Sequence, residues 1–369
     1  MTSEWAVPTP PPHDPQLPGE LLLCSSCDWR FVPGPQVALE RCPRCAGSDL
    51  VALERGDDPL AHHPPELVVP FTATPATLTD QIRRFAQDIP FPPPDLAPET
   101  LQARLQRLYL PLWLVDCDVT AHWQAEVGFD YEVLSHQERY ADGAGWQTRE
   151  VRETRVRWEP RAGTLERHYA NTAAPAQAAH ASLQRALGDV DLSAAVAFTP
   201  AALEGAVVRV PDRAPETAWP DAESVVRERA IDDCRQASGA DHLRDFRWAP
   251  THTGHHWTLL LLPVLATAYL DDEGRPQRVL INGQTGRIYG AKRASASRAG
   301  RRATIIGGVA LALFIVSLIA ALLSILLPPL LIVGLVGAGT ALLVGFAAVV
   351  PIARVWAFNR RQDQFRPEV

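Results

Sequence analysis

Residues 303–353 read ATIIGGVALALFIVSLIAALLSILLPPLLIVGLVGAGTALLVGFAAVVPIA. No charged residue interrupts the run, and most positions are Leu, Val, Ile, Ala, Gly or Phe. One crossing of a bilayer takes roughly 20 apolar residues, so the run is long enough for two. Pro328 and Pro329 sit near its middle, where they remove two backbone donors and disfavour helix. The sequence therefore reads as one helix over Thr304–Leu327 and a second over Leu330–Val350, a transmembrane hairpin, since in lipid each segment has to satisfy its own backbone. A single kinked helix is the alternative topology.

Charge fixes the orientation of such a hairpin. Lys292, Arg293, Arg298, Arg301 and Arg302 precede it, and Arg354, Arg360 and Arg361 follow it, so both flanks read as cytoplasmic. Small residues recur as Gly308, Ala312, Ala320 and Ser324 in the first helix and Gly337, Ala341 and Gly345 in the second. Such ridges permit close helix packing, although Gly and Ala are common in membrane helices in any case. No ionisable residue of the kind that marks a proton relay lies inside the hairpin, which favours an anchor over a transporter. The basic stretch 291–302 also holds Ser295 and Ser297; it is a topology signal or a contact for anionic lipid, where each cation adds about 1 kcal/mol.

At the other end of the chain, Cys24-Ser-Ser-Cys27 and Cys42-Pro-Arg-Cys45 form two C-x-x-C pairs separated by 14 residues. A two-residue gap lets two thiolates reach one ion at about 2.3 Å, and four such ligands close a tetrahedral shell. The pattern predicts one structural Zn2+ on Cys24, Cys27, Cys42 and Cys45, which supplies folding energy to a segment too small to bury much core. A redox dithiol and an iron–sulfur site are the alternatives. Leu21–Leu23 and Val37–Leu39 are read as the strands of a zinc ribbon, with Trp29 and Phe31 covering the site. Zinc ribbons bind nucleic acid or protein. Here Arg30, Arg41 and Arg44 are matched by Glu20, Asp28, Glu40 and Asp49, so protein contact is the better reading.

Between ribbon and membrane the patterning is mixed. Thr77–Asp88 has helical spacing with Leu78, Ile82 and Phe85 on one face, and a second helix is read from Pro98 to about Leu108. Tyr109–Cys117 is apolar enough for a buried strand, and Ala121, Trp123, Ala125 and Val127 alternate with polar neighbours. With a turn at Asp142-Gly143 and Gly145, an antiparallel meander is expected from Tyr109 to about Tyr169. Further helices are read over Ala176–Leu187 and Ala222–Ser238, strands resume near Arg244, and Asn282-Gly-Gln-Thr-Gly286 is a tight turn. His252, His255 and His256 raise a metal hypothesis, but no H-E-x-x-H is present and adjacent strand residues face opposite ways. Cys117, between Asp116 and Asp118, is a poor nucleophile candidate because negative charge disfavours a thiolate. No phosphate-binding loop, G-x-S-x-G or dinucleotide fingerprint occurs, so no enzyme is expected and no catalytic residue is assigned.

The expected organisation is α+β: a proline-rich disordered N-terminus (1–19), a zinc ribbon (20–56), a linker (57–69), a cytosolic domain with antiparallel strands (70–290), a basic juxtamembrane linker (291–302), the transmembrane hairpin (303–353) and a cytosolic tail (354–369). The 369 residues carry a formal net charge of −7, which argues against a general polyanion binder. The N-terminus lacks the charged start and apolar stretch of a secretory signal.

The ribbon cysteines, Tyr109-Leu-Pro-Leu-Trp113 leading to Asp116, Leu261-Leu-Pro-Val264, and Asn282–Gly286 ahead of a membrane segment together make the chain resemble a family of bacterial zinc-ribbon membrane proteins. Its members are sometimes labelled helicase-like or primosomal-protein-like. Leu265 stands where the pattern has an aromatic residue. The resemblance implies no enzymatic activity, and some members look like anchors for stress proteins of the phage-shock and flotillin-like kind. The expected location is the cell inner membrane, multi-pass, with both termini cytoplasmic. The expectation is an adaptor with the lipid bilayer and protein partners, and a membrane-tethered nucleic-acid binder is the alternative.

Overall fold

Period-two runs dominate the soluble sequence, and in a computed structural model they become unusually long strands. The structure describes residues 19–54, 59–141 and 145–364. In chain order the first elements are β1 (Leu21–Cys24), β2 (Arg30–Pro33), β3 (Leu50–Leu53), α1 (Pro59–His62), β4 (Pro65–Val68), α2 (Pro75–Gln87) and α3 (Pro98–Ala103). Then come β5 (Gln106–Ala141), β6 (Gly145–Pro175), α4 (His180–Leu187), β7 (Val196–Ala197), β8 (Ala206–Arg209), α5 (Pro215–Ala237) and β9 (His242–Leu270). The chain continues through β10 (Pro276–Asn282), β11 (Ile288–Gly290), α6 (Ala296–Leu323), α7 (Leu330–Ala347) and α8 (Val349–Gln364). The result is α+β with a mostly antiparallel sheet in which β5 and β8 pair in parallel. Two compact units form: one holds residues 112–178 and 211–260, the other 19–111, 179–210 and 261–364.

The first unit is built on one antiparallel hairpin, β5 with β6, and not on a meander. Its ladder runs from Leu112↔Pro175 out to Ala141↔Gly145, and the Asp142-Gly143 turn lies outside the described residues. One bulge interrupts it between Val115 and Cys117, where Asp116 Oδ1 accepts the Asn171 amide at 2.6 Å. Alternation places Val119, Ala121, Trp123 and Ala125 on the buried face, against which α5 lays Val226, Ala230 and Cys234.

In the second unit, Thr74 caps α2 by accepting the Thr77 amide, and Leu78, Ile82 and Phe85 are buried as the spacing predicts. They share a core with Leu265, Tyr269, Val279 and Ile281 of β9 and β10. The helix from Pro98 stops at Ala103, and β5 begins at Gln106, earlier than the apolar run alone indicates. Pro65–Val68, within the stretch read as a linker, pairs with β7, while Asp57 and its neighbours 55–58 lie outside the described residues. The Asn282–Gly286 turn does more than reverse the chain. Asn282 Nδ2 donates to the carbonyls of Leu187 and Asp189, Gln284 exchanges two hydrogen bonds with the Asp191 backbone, and the Gly283 carbonyl accepts from Thr72 and Ala73. Two separate segments, 187–191 and 72–73, are thereby pinned to one loop.

Two helical runs, Ala296–Leu323 and Leu330–Asp363, are long and apolar enough to cross a membrane. Their contact seam is a heptad of small residues, Ala303, Ala310 and Ser317 in α6 against Gly334 and Ala341 in α7. The Gly308–Ser324 ridge is therefore not the contact: nothing lies within 4 Å of where a Gly308 side chain would begin, whereas Gly337, of the second ridge, meets Ser317. The base of this pair is fastened to the unit's core. Asp272 accepts from Ser295 Oγ, Ser297 N and Ser297 Oγ, and Asn359 makes two hydrogen bonds with the backbone of Ala294. Ala294, Ala299 and Val355 belong to the α2–β10 core.

Candidate metal centre

Two turns of the same design hold the four cysteines. In each, the residue after the second cysteine is left-handed (Asp28 φ 58°, Ala46 φ 59°) and its amide donates to the carbonyl of the first cysteine at 2.8 Å. The amide of each first cysteine in turn bonds the carbonyl of Trp29 or Gly47. The knuckles are tied together by Ser25 and Ser26, which donate to Asp49, and Arg44 Nη1 bonds the Cys27 carbonyl. This backbone turns all four side chains towards one point. β1 carries the first knuckle and pairs with both β2 and β3, so the third strand is Leu50–Leu53; Val37–Leu39, expected as a strand, is an irregular loop after the Pro33-Gly34-Pro35 break.

The four ligand atoms lie within 4.8 Å of one another, with Cys24 and Cys45 Sγ at 3.5 Å and Cys27 and Cys42 Sγ at 3.6 Å. A tetrahedral ion with Zn–S of about 2.3 Å separates its ligands by about 3.8 Å, so donor set and spacing are compatible with one zinc ion. The hydrogen bond from Cys42 draws the Cys27 thiol down to about 5 against the effect of burial, while the same bond and burial push Cys42 well up. Burial raises Cys45 as well. One proton thus leaves easily, and those on Cys42 and Cys45 are ones a cation would displace.

Trp29 and Phe31 are buried beside the knuckles, with ring centroids 5.9 Å apart. Arg209 of β8 lies 3.6 Å and Arg44 4.6 Å from the Trp29 ring centroid. Charge balance along residues 21–53 gave no hint of Arg209, or of Arg278 on β10, which is within electrostatic reach of Arg44, Cys27 and Cys42. The signal available was an arginine inside an apolar strand in each case, Val207-Val-Arg-Val210 and Arg278-Val-Leu-Ile281.

The histidines are arranged differently from the alternation expected of β9. Gly254 is left-handed (φ 65°), which upsets the strand alternation and lets both His252 and His255 reach the Trp219 ring, at centroid distances of 5.0 and 4.3 Å. His256 is exposed. His252 also abuts Trp248, sits 4.0 Å from Glu223, and leaves its buried Nε2 without a hydrogen-bond partner. Burial holds its imidazole below the usual range, opposed by Glu223 and reinforced by His255. Among the described residues, the cysteine quartet is the group of three or more metal-capable side chains whose ligand atoms converge. Burial, then Asp118 and Asp116, push Cys117 up to about 11. Comparisons with family models, curated proteins and solved structures find no match to this chain.

Proposed function

We propose that this protein is a non-enzymatic adaptor, anchored in a membrane by its helical hairpin and carrying a structural zinc ribbon that docks protein partners. The observation that carries the reading is the convergence of Cys24, Cys27, Cys42 and Cys45, because four protein ligands leave a tetrahedral ion no open position for water or substrate. These residues would hold the ion; when bound, it supplies folding energy to the short strands around it. The chain's own part is to aim the thiols through the paired knuckle turns.

The adaptor sits in a cell inner membrane, with both helical runs crossing and both termini cytoplasmic. The exposure of Val316, Leu322 and Leu343 supports lipid contact, and the arginine flanks support the orientation. Membership of the bacterial zinc-ribbon membrane family, and partners of the membrane-stress kind, belong to the same reading and rest on the motifs quoted above. The experiment is quantitative mass spectrometry of proteins that co-purify in mild detergent with the wild type and with a Cys24→Ser, Cys27→Ser variant that still inserts. Loss of a small, defined partner set with the ribbon is the expected result; if neither form retains a partner, the adaptor reading is wrong.

A further inference from the structure

The first unit extends beyond its core as a two-stranded ribbon. β9 begins at His242, beside the point where Asp241 N donates to the Gly128 carbonyl at 3.0 Å and the Asp130 amide donates to Asp241 Oδ2 at 2.9 Å. The ladder of β8 on β5 covers Arg107–Tyr109. From Tyr131↔Arg155 out to Ala141↔Gly145 the sheet is therefore β5 and β6 alone, and it leaves Tyr131 and Leu134 exposed. Two strands by themselves are marginally stable in water, and a further strand is one remedy. Among the described residues β6 pairs with no strand but β5, so its outer edge is a template for another chain.

The sequence of that edge is complementary to itself. Thr148-Arg-Glu-Val-Arg-Glu-Thr154, laid antiparallel on a second copy about Val151, sets Glu150 against Arg152, Arg149 against Glu153, Thr148 against Thr154 and Val151 against Val151. Opposite charges and threonine pairs are favourable cross-strand combinations, and like charges directly opposite are not. Moving the centre one residue back sets Glu150 against Glu150; moving it one residue on sets Arg152 against Arg152 and Arg149 against Arg155. Edge strands are ordinarily guarded by charges that repel a copy, whereas here the charges match one. Within the ribbon Glu150 lies 3.6 Å from His136, Arg152 3.7 Å from Glu132 and Glu153 3.3 Å from Arg155. Five of these six side chains are more than half exposed, and ion pairs of that kind are weak enough to be shared with another strand.

From this we infer that the outer edge of β6 is a self-association site, at which two copies of the chain join β6 to β6 about a two-fold axis at Val151 to make a four-stranded antiparallel sheet. A two-fold contact needs the same patch on both subunits to be self-complementary, and the charge pattern around Val151 supplies that. Main-chain hydrogen bonds give the affinity, and the charge pairs fix the register. The inference goes beyond the adaptor reading: the partner is a second copy of this chain, and the contact does not depend on the cysteine quartet.

The test is cysteine cross-linking of the full chain in mild detergent, with sedimentation velocity on the same samples. In this register the two Val151 Cα atoms stand about 4.5 or 5.5 Å apart, a separation that a disulfide spans. Val151→Cys should give a covalent dimer on non-reducing gels under mild oxidation. Arg157→Cys, whose two copies lie roughly 40 Å apart, should give no more than the wild type, which reports the background from the native cysteines. Glu153→Arg sets an arginine against the second copy's Arg149 and should weaken the dimer roughly tenfold, while Glu153→Arg with Arg149→Glu should restore it. Val133 and Gln137 oppose these two positions within the ribbon, so the exchange creates no like-charge pair across it. The inference is overturned if the wild type sediments as a monomer, or if Arg157→Cys cross-links as well as Val151→Cys. It is equally overturned if a dimer forms that Val151→Cys does not trap or that Glu153→Arg leaves intact, since the copies then meet elsewhere, as through the apolar helices.

Discussion

The cysteine quartet and the histidine trio offer metal-binding side chains in comparable number, yet only the quartet converges. The difference lies in the backbone beneath them. Each C-x-x-C pair sits on a turn whose left-handed fifth residue closes back onto the first cysteine, so both thiols of a pair leave the same side. The histidines sit on a 29-residue strand, and the break at Gly254 redirects two of them onto an indole instead of onto an ion. Ligand identity proposes a metal site; the turn decides it.

The comparison breaks most sharply at the quartet. Cys24→Ser with Cys27→Ser should remove one bound zinc per chain, and since structural zinc contributes roughly 10–16 kcal/mol of apparent binding energy to small modules, the segment 20–54 should unfold with it. Elemental analysis of the metal, paired with limited proteolysis of that segment, reads both effects; a variant that keeps its zinc and its protection would show that the knuckles do not bind as a unit. EDTA on the wild type should reproduce the proteolysis pattern. The next largest effect lies in the histidine region. Gly254→Ala forces a side chain into a left-handed position with its Cβ 2.8 Å from Asp118 Oδ2, and should destabilise by about 1–3 kcal/mol in urea melts followed by tryptophan fluorescence, with zinc content unaltered.

Much of this was legible in the sequence, for identifiable reasons. The quartet follows from spacing, α2 from three apolar positions, and the apolar helices from an uncharged run broken by Pro328-Pro329. Strand pairing was less visible, because alternation specifies a face and not a partner: β5 and β6 have the pattern of a meander and the register of one hairpin. The α6 seam was misread because small residues at a four-residue spacing resemble a ridge, while the contact repeats every seven. The redirection of His255 was hidden in Gly254, which in sequence is one glycine among 23.

The smallest predicted effects separate a half-buried histidine from an exposed one on the same strand. His252 is packed against Trp219 and Trp248 with Nε2 unpaired, so the fold holds it neutral. Its pKa is lowered in the folded state; as pH falls through about 6.5, the unfolded chain takes up a proton that folded His252 does not, and stability declines. Replacing it with Leu removes both the unpaired nitrogen and that linkage. His252→Leu should therefore be neutral or more stable by up to about 1 kcal/mol at pH 7.5, and should lose less stability than the wild type between pH 7.5 and 5.5. His256→Ala, on an exposed side chain, should shift stability by less than about 0.5 kcal/mol at pH 7.5 and leave the His252 contribution in place. If His256→Ala instead flattens the pH profile while His252→Leu does not, the assignment of the buried group is reversed, and with it the claim that Gly254 sorts the histidines.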